Sequence, residues 1–157
     1  MLRKTANLKS VRQKALDAAI LNVMVVGIRG MFGLVNLRSP RFREALKGFD
    51  ATYRFRAGSS ARRLVFADGR IGAPRGEGPA PDYELILLDP AGVVKRMYEN
   101  PDDMIKLLME NKIDQSGNNF YLFKFGYLLG LCERYFRDLA GSVRPDFFRQ
   151  RKADADR

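Results

Sequence analysis

Histidine is absent from the chain and cysteine occurs once, at Cys132. Histidine is the commonest general base and the commonest metal ligand, so its loss removes most polar catalysis. Neither a Ser-His-Asp nor a Cys-His relay can be assembled, and one cysteine without histidine leaves too few ligands for structural zinc. Carboxylates remain. Asp82 and Glu84 lie on one strand-like run, whereas Asp102 and Asp103 follow Asn100 and Pro101, where helix capping accounts for them. No pair of acids needs a catalytic account. The glycines of the segment APRGEGPAP, Ala73 to Pro81, fit neither G-x-x-x-x-G-K-S/T nor G-x-G-x-x-G. No catalytic residue, metal ligand or cofactor is expected, and the chain is expected not to be an enzyme.

Two features remain that could do work: positive charge and apolar surface. The chain has 28 Lys and Arg against 18 Asp and Glu, a net charge of +10. Residues 1–17 carry five basic side chains and one acidic, residues 38–70 nine and three, and residues 134–157 seven and four, around a centre with six basic and ten acidic. Basic flanks of this kind fit an anionic partner, either phospholipid headgroups or nucleic acid. The nucleic-acid alternative rests on Arg54, Arg56, Arg62 and Arg63 as a basic strand face. Against it, Tyr53 and Phe55 alternate away from Arg54 and Arg56, where base stacking needs aromatics beside the charges, so no specific nucleic acid is expected. A protein-interaction role is the other face of that alternative.

These residues must be positioned by a chain of 157 residues, 46% hydrophobic and 29% charged, which is enough for one domain with a real core. After a polar, basic start, an apolar run extends from Ala15 to Leu37, interrupted by Asp17, Asn22, Arg29 and Asn36. It lacks an A-x-A cleavage site for a secretory signal. Between Asp17 and Arg29 it is about half the ~20 residues of a membrane span. It is therefore predicted to be a helix lying on a membrane or on the domain, with Lys4, Lys9, Arg12, Lys14 and Arg29 as membrane contacts. Gly27, Gly30 and Gly33 weaken it or admit a close neighbour, and Pro40 closes it.

From Phe49 the period changes to two, predicting a strand with Phe49, Ala51, Tyr53 and Phe55 on one face and Arg54 and Arg56 on the other. A turn at Gly58-Ser59-Ser60 leads to a returning strand at Arg63–Ala67, and Asp68-Gly69 signals a hairpin into a third. Tyr83–Leu88 predicts a fourth strand and Lys112–Gln115 a fifth, with helices from Asp89-Pro90 and from Asn100-Pro101 between them. The last element, Phe120 to about Leu139, has Lys124 as its one charge before Leu131 and apolar residues all round. A helix of that kind is either fully buried or touches something other than water. Leu107, Leu108, Phe120, Phe123, Tyr127 and Leu128 are the candidates to line an apolar ligand cavity, with six methionines as adaptable filler. Cys132 falls within this helix as a small hydrophobe. A reducing cytoplasm accommodates a single thiol.

The order hairpin, strand, two helices, strand, long apolar helix resembles the sterol carrier protein 2 (SCP2) family. The matching phrases are Phe66-Ala67-Asp68-Gly69-Arg70, Pro81-Asp82-Tyr83-Glu84-Leu85, Asn100-Pro101-Asp102-Asp103, and Lys112 through Asn118. The resemblance implies an α+β fold, a mixed five-stranded sheet with helices packed on it, enclosing a tunnel for fatty acyl chains, sterols or similar lipids. It implies carriage or presentation rather than chemistry, sometimes to an enzyme partner, and some bacterial relatives look like accessory factors for isoprenoid quinone synthesis. Three parts are expected: residues 1–40 as basic N-terminus and apolar helix, 41–140 as the SCP2-like domain, and 141–157 as a basic tail. The protein is expected in the cytoplasm, peripheral at the membrane, where the N-terminal helix meets the membrane, its own domain or a second copy in a homodimer.

Overall fold

Alternation from Ala51 onward fixes the centre of the structure. In the computed structural model, residues 2–76, 78–99 and 104–142 are described, without the side chains of 2–10, 97–99, 104, 105, 108 and 142. The element order is α1 (Leu2–Arg38), α2 (Pro40–Leu46), β1 (Ala51–Ala57), β2 (Ser60–Ala67), β3 (Arg70–Gly72), β4 (Tyr83–Leu87), α3 (Pro90–Glu99), α4 (Met104–Met109), β5 (Ile113–Gly117) and α5 (Asn119–Ser142). The strands form one mixed sheet in the order β3-β2-β1-β4-β5. Only the β1–β4 pair is parallel. This is the expected α+β fold.

Turn chemistry sets the register. Asp68 and Gly69 both take positive φ, 50° and 69°, the primed turn that matches strand twist in a two-residue hairpin. Gly117 has φ 118°, and a Cβ there would fall 2.5 Å from the Asp82 carbonyl oxygen, so only glycine closes the β4–β5 ladder at that point. The pairings Tyr53↔Leu64, Tyr53↔Tyr83 and Phe55↔Leu85 put these side chains on one face; Arg54↔Arg63 and Arg54↔Glu84 put theirs on the other. Arg62 pairs with Phe55 and so lies on the apolar face, not with Arg63 on the basic face. Successive strand residues alternate sides, which corrects the grouping of all four arginines.

Helices cover the apolar face. Leu21, Val25, Ile28, Phe32 and Val35 of α1 are buried at alternating steps of four and three, the spacing of one helical stripe. Phe32 sits among Phe42, Phe66 and Phe125 with ring centroids at 5.5, 6.0 and 5.7 Å. From α5, Phe125, Leu128 and Cys132 point inward, and the Phe125 ring lies 5.1 Å from Tyr53 and 5.8 Å from Phe55. One cluster joins α1, α2, the strands and α5. The stretch from Leu21 to Val35 thus closes the core that the sheet begins.

Two of the four polar interruptions in the apolar run, Asn22 and Asn36, dock α1 along β2. Asp17 lies beside the β1–β2 turn, its Oδ2 3.7 Å from where a Gly58 Cβ would stand. The Arg62 Nε donates to Asn22 Oδ1 at 3.1 Å. The Asn36 amide donates to the Gly69 carbonyl at 3.1 Å, tying the far end of α1 to the β2–β3 turn. Arg29, the fourth, is exposed.

Two elements extend beyond expectation. Helix α1 starts at Leu2 and includes the polar N-terminal segment without a break. Pro40 also opens a helix: Ser39 caps α2, its Oγ accepting from the Phe42 N–H at 3.3 Å, with Pro40 in the first turn. The Asn100–Asp103 helix start and the tail beyond Ser142, with Asp146-Phe147-Phe148, lie outside the described residues.

Candidate functional site

Among the described residues, helix layer and sheet pack closely around a small void. A cavity of about 20 Å³ lies there, lined by Met24 and Ile28 of α1, Tyr53 to Phe55 of β1, Tyr83 and Leu85 of β4, and Leu122 and Phe125 of α5. Sites for small ligands run to about 300–1,000 Å³, so this void by itself is far smaller than an acyl chain needs. Its walls are apolar even where they carry polar atoms. The Tyr53 hydroxyl donates to the Tyr121 carbonyl at 2.9 Å and burial raises its pKa above the ordinary phenol range. The Tyr83 hydroxyl, bonded to Gln115 Oε1, is pushed up to about 12 by burial. Burial likewise pushes the Cys132 thiol up to about 12, so the chain's one sulfur nucleophile is held protonated and enclosed.

The outward side of the helix layer is unusual in the opposite sense. Leu16, Val23, Val26, Leu34 and Leu37 of α1 are exposed, Val23 at 71% and Leu37 at 78%. They fall on one helical face, and between Gln13 and Leu37 that face bears no charge. A Cβ built on Gly27, Gly30 or Gly33 would meet nothing within 4 Å, so among the described residues no neighbouring element uses these glycines for close approach. Val11–Arg38 is long and apolar enough to cross a membrane by length and composition, with mean hydropathy 1.9 and 22% of its most apolar window buried. The Asp17–Arg29 spacing suggested too short a segment; Asp17 faces the β1–β2 turn, in line with buried Val35, and Arg29 lies beside the outward stripe, so the helix runs unbroken past both. On α5, Phe120, Phe123 and Tyr127 project outward at 57%, 69% and 56% exposure.

The predicted ligand-lining residues therefore part company. Leu107 and Leu128 are fully buried in the core. Phe120, Phe123 and Tyr127 form an aromatic ridge on the outside of α5, and the Leu108 side chain lies outside the described residues. Of the predicted membrane contacts, Arg12, Lys14 and Arg29 are exposed, while the Lys4 and Lys9 side chains lie outside the described residues. The uncharged outward stripe of α1 was not singled out from the sequence, although its signal was present: a sector of the helical wheel free of charge for about seven turns.

The open face of the sheet carries the remaining chemistry. Arg54 reaches Glu84 through Nε and Nη2 at 2.6 and 3.0 Å, and Arg56 Nη1 lies 3.6 Å from the same carboxylate. The forked hydrogen bond to Glu84 raises the Arg54 pKa. Glu84, on this face, is the one buried charged residue among those described, so these cations serve it first. Among the described residues no group of three or more His, Cys, Asp or Glu is placed to hold a metal ion.

With this geometry in hand, comparison with solved structures is informative. A structure titled UbiJ-SCP2 ubiquinone synthesis protein superposes with a TM-score of 0.55 at 20% identity, covering 71% of this chain and 93% of that one. The chain has an SCP2-like fold. Sterol Carrier Protein 2 Like 2 from Aedes aegypti aligns at 14% identity over 69% of this chain and 95% of its own, with a TM-score of 0.48. The sec-alkylsulfatase Pisa1 from Pseudomonas sp. aligns at 17% identity over 57% of this chain but only 14% of its own length, with a TM-score of 0.45. No family model and no curated protein sequence matches the chain.

Proposed function

We propose that this SCP2-like protein binds an apolar lipid (fatty acyl, sterol-like or an isoprenoid quinone precursor) and carries or presents it without catalysis, docking through its helix layer on an anionic membrane. The observation that carries this reading is that α1 is apolar on both sides: one stripe packs on the sheet and the other is uncovered. Among the described residues, the cavity beneath α1 and α5 is too small for a chain as it stands. The outward stripe from Leu16 to Leu37 can meet a bilayer or a ligand without bringing a charge of its own, while Arg29 beside it reaches the headgroups. Each aliphatic side chain moved from water into hydrocarbon favours docking by about 1.5–3 kcal/mol. Arg12, Lys14 and Arg29 would each add about 1 kcal/mol at an anionic surface. A bound chain would gain about 0.8 kcal/mol per CH2, so affinity needs no charged anchor inside. The setting we propose is the cytoplasmic surface of a membrane, with delivery of the lipid to an enzyme partner.

The nucleic-acid alternative finds less support. Tyr53 and Phe55 are buried under α5 and Arg54 and Arg56 hold Glu84, leaving no aromatic platform beside free cations on that face.

Native mass spectrometry of the purified protein, with solvent extraction of what travels with it, tests the proposal. A stoichiometric lipid adduct is the expected result. A clean apo mass, together with no uptake of added palmitate or a prenyl quinone analogue, would refute carriage.

A further inference from the structure

Helices α2 and α5 enclose an open groove of about 760 Å³, lined by Arg41, Glu44 and Ala45 on one side and by residues from Lys124 to Arg137 on the other. On α2 these are positions i, i+3 and i+4, and on α5 Lys124, Tyr127, Leu131 and Arg134 recur at the same helical spacing, so each helix presents one face to the groove. The groove holds four cations, Arg41, Lys124, Arg134 and Arg137, and two carboxylates, Glu44 and Glu133. Both carboxylates are engaged. Glu133 pairs with Arg137 within its own helix, and Glu44 lies 3.9 Å from Lys47. Arg41 and Arg134 have no carboxylate partner among the described residues. Among the described residues Lys124 meets ring faces, its Nζ 5.1 Å from the Phe49 centroid and 5.8 Å from that of Tyr127.

Uncompensated cations beside Tyr127 and Leu131 are half of an amphiphile's complement. The other half continues along α5, where Phe123 and Phe120 stand exposed one and two turns before Tyr127. We propose that this groove binds a phosphate or diphosphate head, with the attached hydrocarbon laid along the Tyr127–Phe123–Phe120 ridge. Three cations suit a dianion better than a carboxylate, which a single guanidinium fork satisfies. The proposal deepens the carriage reading by naming the headgroup class, and it rests on that reading for the chain.

The test is calorimetric titration of the full chain at low salt with decyl phosphate, decanol and inorganic phosphate, each below any micelle concentration. Decyl phosphate binds at least about tenfold more tightly than decanol, and Arg41→Gln and Arg134→Gln each weaken it about tenfold, the size of one charge-assisted hydrogen bond. Neither substitution changes decanol binding, and Arg75→Gln, outside the groove, changes nothing. Equal affinity for decyl phosphate and decanol, or full affinity in Arg134→Gln, overturns the groove while leaving carriage intact. No binding of either amphiphile overturns both. Inorganic phosphate binding as tightly as decyl phosphate would replace a lipid head with free phosphate as the occupant and overturn the proposal. All the substituted side chains are exposed, so folding is unaffected and a thermal melt checks it.

Discussion

Helices α1 and α5 share one task and differ in another. Both lie on the same face of the sheet, both bury a stripe at steps of three and four, and they meet through Phe32 and Phe125. Their outward faces diverge. That of α1 is aliphatic and glycine-rich and bears no charge from Gln13 to Leu37. That of α5 begins aromatic, at Phe120, Phe123 and Tyr127, and ends charged, at Glu133, Arg134 and Arg137. Aromatic rings backed by basic residues suit the polar–apolar boundary of a bilayer, whereas an uncharged aliphatic stripe suits hydrocarbon. The inward stripes follow from the sheet's demand for a cover; the outward difference has no such cause, and it is what a docking surface would require.

The shared task is the easiest to break. Phe32→Ala removes a fully buried ring in contact with three others and should cost about 3–5 kcal/mol, with Leu128→Ala at about 2–5 kcal/mol on the α5 side. Urea unfolding monitored by circular dichroism measures both. A loss below about 1 kcal/mol for Phe32→Ala would make α1 an appendage and remove the comparison's first half. Truncation before residue 38 should abolish cooperative unfolding for the same reason, since it bares Leu64, Phe66 and Phe125 at once.

The inward stripes also differ in what they can titrate. Between Leu21 and Val35 no ionisable group lies on the buried stripe of α1. Beneath α5 sit Cys132, Tyr53 and Tyr83, all with pKa values raised by burial, Cys132 and Tyr83 to about 12. The sign follows from which state binds the proton. In the unfolded chain the thiol ionises near about 8.5 and the phenols near about 10, while the folded chain keeps all three neutral. These groups leave stability constant below about pH 8. Above it, each can subtract up to about 1.4 kcal/mol per pH unit until its folded pKa is reached. Unfolding midpoints at pH 7, 9 and 10.5 should fall in that order, and Cys132→Ala should abolish the part that begins before the tyrosines ionise. An unchanged midpoint at pH 10.5 would place these groups in water.

Much of the fold was legible because its signals are local. Period-two burial marked β1, the Asp68-Gly69 pair marked the β2–β3 hairpin, and the composition of α5 marked a helix with no water-facing stripe in its first half. Helix α2 was missed although Ser39-Pro40 carries the cap-and-proline signal that was read at Asn100-Pro101; next to a longer apolar helix it passed for a terminator. The docking roles of Asn22 and Asn36 were unreadable, because their partners at Arg62 and Gly69 are 40 and 33 residues away and only the sheet brings them together. The site was the least legible part. Leu107, Phe123 and Leu128 look alike as apolar letters, and which of them faces core or solvent depends on helix phase relative to a sheet that the letters do not locate.

Helix phase also supplies the smallest expected effect on stability and the sharpest test of the two faces. Val25 and Val26 are neighbours in sequence, yet Val25 is 1% exposed and Val26 54%. Val25→Glu places an unpaired carboxylate in the core and should leave no folded protein to assay. Val26→Glu, combined with Val23→Glu on the same outward face, should alter stability by no more than about 0.5 kcal/mol, because neither side chain touches the core. Binding to phosphatidylglycerol-containing vesicles should nevertheless fall at least about tenfold, since two apolar contacts are exchanged for two charges that bilayer hydrocarbon and anionic headgroups both reject. Co-flotation with vesicles measures this, with Phe123→Ser on α5 as the comparison. If the double glutamate variant floats like the parent while Phe123→Ser does not, the membrane contact belongs to α5 alone. The outward stripe of α1 then has to be explained by a protein surface, a second copy or another partner, that covers it.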